Sequence, residues 1–117
     1  MTANLDGQKL AKPGTVRIAP GVLATIVHEA TLSVAGVLRM GDANLPAFSR
    51  LFARDGAEGV KIEVKEDKVY ADLYIIVDKD VNISQVGKQV QGEVSRAVRN
   101  IVGMPVEQIN VYIQNVE

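Results

Sequence analysis

The stretch from Asn82 to Val102 constrains the fold of this 117-residue chain more than any other. Its apolar residues recur at intervals of three and four, which places them on one arc of a helix. They are Val86, Val90, Val94, Ala97, Val98, Ile101 and Val102. Asn82 or Ser84 is suited to cap the first turn, and Gly103 ends the helix. Because ordering this helix costs more free energy than its own contacts return, the pattern predicts a sheet beneath it.

Segments of alternating apolar and polar residues on both sides of the helix supply that sheet. Two of them flank Glu66 and Asp67, which is the pattern of a β-hairpin. A third follows the helix, and a helical crossover favours a parallel arrangement with a strand of the hairpin. The predicted strands are 15–19, 37–40, 60–65, 69–77 and 106–116.

A second helix is predicted from Pro20, a residue favoured in the first helical turn, to about Gly36. Its inner stripe is predicted to consist of Val22, Leu23, Ile26, Val27, Ala30 and Val34. Its outer arc carries few charges for a solvated surface, so one hypothesis is that it contacts a partner. The candidate contact residues are Ala24, His28, Thr31 and Leu32. The alternative is an ordinary, weakly polar surface.

These elements predict an α+β fold. We expect a two-layer sandwich, in which a four- to five-stranded mixed sheet carries two helices packed on one face. Residues 1–14 are expected to form a flexible N-terminal arm, since they are largely polar and end at Pro13-Gly14. Residues 15–117 are then a single domain, which suits their length.

Residues 41–59 are the least regular part of the predicted domain. Leu45, Phe48, Leu51 and Phe52 nevertheless fall at helical spacing within them. One hypothesis is a short amphipathic turn that covers an edge or face of the sheet. The other is that Phe48 and Phe52 dock a partner or a membrane surface.

Two helices on one face would leave the other face of the sheet with all three tyrosines, Tyr70, Tyr74 and Tyr112. Open aromatic sheets can stack nucleotide bases, so binding of RNA or single-stranded nucleic acid is one hypothesis. The charges on that face balance, however, and leave no positive surplus to hold phosphates. They are Arg17, Lys61, Lys65, Glu63, Asp72 and Asp78. A protein contact through the tyrosines is therefore favoured.

No pattern of residues points to catalysis, a cofactor or a metal ion. The chain has no cysteine, and its one histidine, His28, is expected to be solvated. Asp72 and Asp78 share a strand face but lack a nucleophile or ligand beside them. The net charge is −1, and no segment approaches the length of a membrane span or looks like a secretory signal. A non-enzymatic, cytoplasmic protein is expected.

Several short motifs are shared in order and spacing with one known family. They are Gly14-Thr15-Val16-Arg17-Ile18, Val34-Ala35-Gly36-Val37, Glu58-Gly59-Val60-Lys61-Ile62, Asn82-Ile83 and Ile109-Asn110-Val111-Tyr112-Ile113. From Gly14 to Val116 the chain resembles the alkaline-shock-protein family of bacterial general-stress and cell-envelope proteins. The resemblance implies a non-enzymatic protein without cofactors that supports envelope homeostasis. It also implies a homo-oligomer in the cytoplasm that becomes membrane-associated by docking to a membrane-anchored partner.

Overall fold

The structure is a computed structural model that describes residues 13–41 and 58–117. Its helices are α1 (Pro20–Leu32) and α2 (Ile83–Ala97). Its strands are β1 (Val37–Met40), β2 (Val60–Lys65), β3 (Lys68–Val77) and β4 (Val106–Val116). The four strands form one mixed sheet, and both helices contribute to a core on one of its faces. The predicted α+β fold is confirmed.

Strand β3 is the centre of the sheet. Strand β4 pairs with it in parallel along one edge, as the helical crossover predicts. Strands β2 and β1 both pair antiparallel with its other edge, where they lie end to end. Between them, the N–H of Gly41 donates to the carbonyl of Tyr74 (2.7 Å), and the N–H of Tyr74 donates to the carbonyl of Gly59 (2.9 Å). Gly41 and Gly59 therefore bond to the same residue of β3.

Helix α2 forms where the spacing predicts it. The side chain of Asn82 caps it by accepting a hydrogen bond from the N–H of Gln85 at 3.0 Å. Val86, Val90 and Val94 are buried against the sheet. The helix widens into one π-helical turn over Val98–Val102 and ends at Gly103, whose positive φ of 85° suits a residue without a side chain.

The hairpin between β2 and β3 also forms as predicted. Its turn residues, Glu66 and Asp67, both have positive φ, at 51° and 63°. Such a pair fits a two-residue turn whose twist matches that of the two strands. Residues of β3 then alternate between the two faces, and Leu73, Ile75 and Val77 are fully buried beneath the helices.

Helix α1 buries most of the predicted stripe but differs from the prediction at Val22 and Thr31. Leu23, Val27 and Thr31 are buried, whereas the side chain of Val22 is 50% exposed. The Thr31 hydroxyl donates to the carbonyl of Val27 at 2.8 Å, so its burial leaves no unsatisfied donor. Because α1 packs against α2 as well as the sheet, its buried arc is rotated from the one that apolarity alone selects.

The predicted strand over residues 15–19 is wrong. Residues 13–19 form no strand, and the side chain of Val16 is 88% exposed. Ala19 has the extended backbone expected of a residue that precedes proline, with φ −63° and ψ 142°. The alternation of Val16 and Ile18 is therefore not accompanied by strand pairing.

Replacing Gly87 by alanine is expected to stabilise the fold. A Cβ on this helical glycine would meet no atom within 4 Å, so alanine gains helix propensity of about 0.5–1 kcal/mol without a clash. Gly103→Ala is the matched control and should destabilise by roughly 1 kcal/mol, because its φ is positive. Urea unfolding measures both changes. A less stable Gly87→Ala variant would contradict the open space above that residue.

The ion pair between Arg39 and Glu117 is expected to add acid sensitivity. The Arg39 guanidinium donates two hydrogen bonds to the carboxylate of Glu117, at 2.6 and 2.7 Å, and these lower the pKa of Glu117 below its usual 4.5. Because the pKa of Glu117 is lower in the folded state, the ionised carboxylate stabilises the protein at pH values above the pKa of the unfolded chain. This stabilisation is lost as the pH falls through the pKa of the folded state. The effect should be small because both side chains are largely exposed.

Arg39→Gln removes the cation but keeps a side chain of similar length. The stability difference between wild type and Arg39→Gln should therefore shrink as the pH falls below about 4.5. Thermal unfolding across that range measures it. A difference that stays constant with pH would show that the pair does not contribute through its charge.

Candidate interaction surface

The sheet face opposite the helices has no element packed on it in the described part of the chain. We call this the tyrosine face. It consists of Tyr70, Asp72, Tyr74, Ile76, Asn110 and Tyr112, which alternate along β3 with buried core residues and along β4 with partly buried ones. The three tyrosines thus share one face, as the alternation predicts.

Tyr74 and Tyr112 form the centre of the tyrosine face. They occupy paired positions on β3 and β4, and their rings stack with centroids 4.8 Å apart and an angle of 17° between the planes. Burial raises the pKa of the Tyr74 phenol, and the nearby Asp72 carboxylate raises it further. Tyr112 remains 45% exposed. The pair is therefore a stacked aromatic platform with one accessible ring.

Polar contacts flank this aromatic pair on the same strands. Asp72 and Asn110 face each other across β3 and β4, and the Asn110 amide donates to the Asp72 carboxylate at 2.9 Å. At the hairpin end, the ammonium of Lys65 lies 5.7 Å from the ring centroid of Tyr70, within the range of a cation–π contact. The Asp72–Asn110 bond depends on the strand register, which residue spacing does not give.

The candidate residues of α1 do not form a second exposed surface. Thr31 is fully buried, so its predicted place on the outer arc is wrong. Ala24 packs against the core, and His28 is half-buried. Leu32 is 40% exposed. Because α1 lies on the helical layer, these residues are separated from the tyrosine face by the sheet itself.

The predictions for Phe48 and Phe52 lie outside the described residues. Gly41 and Gly59, which precede and follow that part of the chain, are held beside the tyrosine face by their bonds to Tyr74. Gly59 has a φ of +75°, and a Cβ on it would come within 2.9 Å of the carbonyl of Tyr74. The close approach of the two backbones therefore requires glycine at this position.

The described residues present no assembled catalytic or metal site. Within residues 13–41 and 58–117, no three His, Asp or Glu side chains are grouped to hold a metal ion. A groove at the hairpin end of the helical layer is lined mainly by apolar residues such as Ile18, Val64 and Met104. Arg17 and Asp67 are its charged residues. No helix over the same ranges is long and apolar enough to cross a lipid bilayer.

The sequence is similar over most of its length to a bacterial protein family and to several of its relatives. The sequence profile of the alkaline-shock-protein family, described as having a cell envelope-related function, matches residues 8–117. The protein YloU of Bacillus subtilis strain 168 is 27% identical over 108 residues, with 90% of each chain covered. YqhY of the same organism is 29% identical over 105 residues, which cover 89% of this chain and 78% of YqhY.

The fold is also similar to that of solved structures of MamM CTD. One variant in its nickel form has a TM-score of 0.56 and 18% sequence identity, and the match covers 81% of this chain and 96% of that one. The copper form has a TM-score of 0.53 and 15% identity, with coverage of 84% and 87%. At such low identity, the likeness extends to the fold alone.

The profile match over residues 8–117 covers nearly the whole sequence, and it agrees with the motifs that the sequence shares in order and spacing. This chain therefore belongs to the alkaline-shock-protein family, whose function is related to the cell envelope.

Proposed function

We propose that this protein acts without catalysis, as a scaffold that supports the cell envelope under stress by binding copies of itself or a partner protein. Its family places it in envelope-related function. The observation that carries the proposal is the tyrosine face, an ordered aromatic surface that no other element covers in the described part of the chain.

The chemistry of the tyrosine face suits a protein partner. Tyrosine supplies a large contact area with few rotatable bonds, and it is enriched among the residues that dominate binding energy at protein interfaces. Stacking already restricts the rings of Tyr74 and Tyr112, so little side-chain entropy remains to be lost on binding. Ile76 lies on the same face, is only 8% exposed, and provides an apolar side chain beneath the surface that the tyrosines form.

Charge on the same face favours protein over nucleic acid. Lys61 and Lys65 of β2 alternate with Glu63, and Asp72 lies beside them on β3. Lys65 also forms an ion pair with Glu63 at 3.7 Å. A surface that binds phosphates needs an excess of positive charge, which these residues do not supply.

We further propose that the protein works in the cytoplasm and reaches the membrane by docking to a membrane-anchored protein. The envelope-related function of the family supports an activity close to the membrane. The described helices do not supply a span of their own, so attachment through a partner is the more economical arrangement.

The Tyr112→Ala variant is expected to weaken self-association or partner binding about tenfold or more, a loss of roughly 1.4 kcal/mol. It removes the exposed ring of the stack but no residue of the core. Affinity purification from the native cell, with membrane and soluble fractions separated, and sedimentation of the purified protein measure the effect.

Leu32→Ala is the matched control, since Leu32 is similarly exposed but lies on the helical layer. It should leave binding unchanged. An equal loss in both variants would assign binding to the helical layer or to a change in stability. A wild-type protein that stays monomeric at high concentration and recovers no partner would overturn the proposed function.

The protein is expected not to shift the mobility of single-stranded RNA or DNA, even at low salt, because the sheet face lacks a positive surplus. An electrophoretic mobility assay with an unstructured oligonucleotide tests this. Salt-dependent binding that is lost when Tyr70, Tyr74 and Tyr112 are replaced by alanine would instead support the nucleic-acid hypothesis.

A further inference from the structure

Strand β4 forms one border of the sheet. It pairs with β3 along its length on one side, and no strand in the described part of the chain pairs with its other side. An unpaired strand edge exposes a row of N–H and C=O groups that can bind another strand. At eleven residues, β4 is the longest strand of the sheet.

The composition of β4 does little to prevent such pairing. Proteins commonly protect edge strands with charged residues, but Glu107 is the one charged residue among the eleven of β4. Strand β2, which borders the opposite side of the sheet, carries Lys61, Glu63 and Lys65 in six residues. The two borders are therefore chemically different, and β4 is the one open to association.

The direction of the backbone groups on β4 can be read from a contact with α2. The carbonyl of Ile109 accepts a hydrogen bond at 3.0 Å from the side chain of Gln91, which reaches it from that helix. That carbonyl therefore points away from β3. Because successive residues of a strand direct their backbone groups to opposite edges, Val111 and Ile113 also present theirs at the free edge.

Two irregularities in the pairing with β3 limit the length of β4 whose outer N–H and C=O groups can pair with another strand. The register shifts at Glu107 and again at Gln114, and it is regular from Gln108 to Ile113. Bulges interrupt a ladder and limit how far a neighbouring strand can pair. The usable edge is therefore the regular stretch between them, centred near Val111.

The sequence of β4 is nearly the same in both directions about Val111. In an antiparallel pair of two β4 strands centred there, Ile109 lies opposite Ile113 and Asn110 opposite Tyr112. At and beyond the two irregularities the symmetry continues in the sequence, where it relates Gln108 to Gln114, Glu107 to Asn115 and Val106 to Val116. Residues of like character meet at almost every position and no like charges meet, as a two-fold symmetric contact requires.

We propose that β4 pairs antiparallel with β4 of a second copy of this chain, about a two-fold axis at Val111, to form one continuous sheet. This inference rests on the self-association in the proposed function and assigns that contact between copies to the edge of β4, which borders the tyrosine face. Val111 would exchange two backbone hydrogen bonds with its own copy, and Ile109 would exchange two with Ile113 at each end, where the Ile109 carbonyl is shared with, or released by, the Gln91 side chain. About six backbone hydrogen bonds would then join the two β4 strands.

Side chains support the same arrangement. Ile109, Val111 and Ile113 lie on the helical side of β4 and are only partly buried, although they pack against the core. A second strand alongside would cover their exposed parts. On the opposite side, Tyr112 would lie beside Asn110 of the second copy, which makes the tyrosine face continuous across the two copies.

A scan with single cysteines tests the axis. The chain has no cysteine, so one introduced residue can form a disulfide only between copies. Residues on the axis of an antiparallel pair have Cα atoms about 5.5 Å apart, within the range that a disulfide spans. Among Asn110→Cys, Val111→Cys and Tyr112→Cys, the second should give most cross-linked dimer under mild oxidation. Lys61→Cys, on the opposite border, is the control and should give little.

Hydrogen exchange of the unmodified protein gives a second readout. The amides of Ile109, Val111 and Ile113 should be protected at high protein concentration and lose protection about tenfold or more on dilution. The amide of Tyr112 bonds within the chain to β3, so its protection should change much less. This alternating pattern does not depend on whether a cysteine variant folds.

A cysteine scan whose strongest cross-link lies away from Val111, or a wild-type dimer whose edge amides exchange alike at all concentrations, would overturn this inference and leave the proposed scaffold function intact. A strictly monomeric protein that still recovers an envelope partner would do the same. The loss of both association and partner would overturn the two proposals together.

Discussion

The burial of the helical side of β3 beneath α2 is the interaction on which the rest of the structure depends. Leu73, Ile75 and Val77 are fully buried there, and Val90 and Val94 meet them from the helix. Burying each such side chain is worth roughly 1.5–3 kcal/mol, whereas ordering the backbone of each helical residue costs about 1–2 kcal/mol, so the helix is stable only when it covers the sheet. Helix and sheet each need the other, so the main core lies on one side of β3 and the opposite face is available for contacts.

The parts of the fold that could be predicted are those in which all local signals in the sequence indicate the same element. In α2, the spacing of the valines, the Asn82 cap and the αL residue Gly103 all indicate the same helix. In the hairpin, alternation and a two-residue turn agree. The place of all three tyrosines on one face also follows from a period of two residues along β3 and β4. Agreement of several local signals is what makes such segments readable from sequence.

What could not be predicted depends on contacts between elements distant in the chain. The polar side chain of Thr31 favours a surface position, but α1 packs against both α2 and the sheet, and a hydrogen bond to the carbonyl of Val27 permits burial. The Asp72–Asn110 bond and the free edge of β4 exist only once the register and order of the strands are known. Residues 15–19 show the converse, since alternation without a neighbouring strand produces no sheet.

The two backbone bonds at Tyr74 have a consequence for how this domain can vary. Gly41 and Gly59 both bond to one residue of β3, so the pairing of β1 and β2 with β3 does not depend on the number of residues between the two glycines. The entropy of closing a loop grows only with the logarithm of its length, and each doubling costs about 0.6 kcal/mol. Insertions or deletions between these glycines would therefore leave β1, β2 and β3 in register. The segment between Gly41 and Gly59 is therefore a place where the chain can change in length without changing the core of the domain.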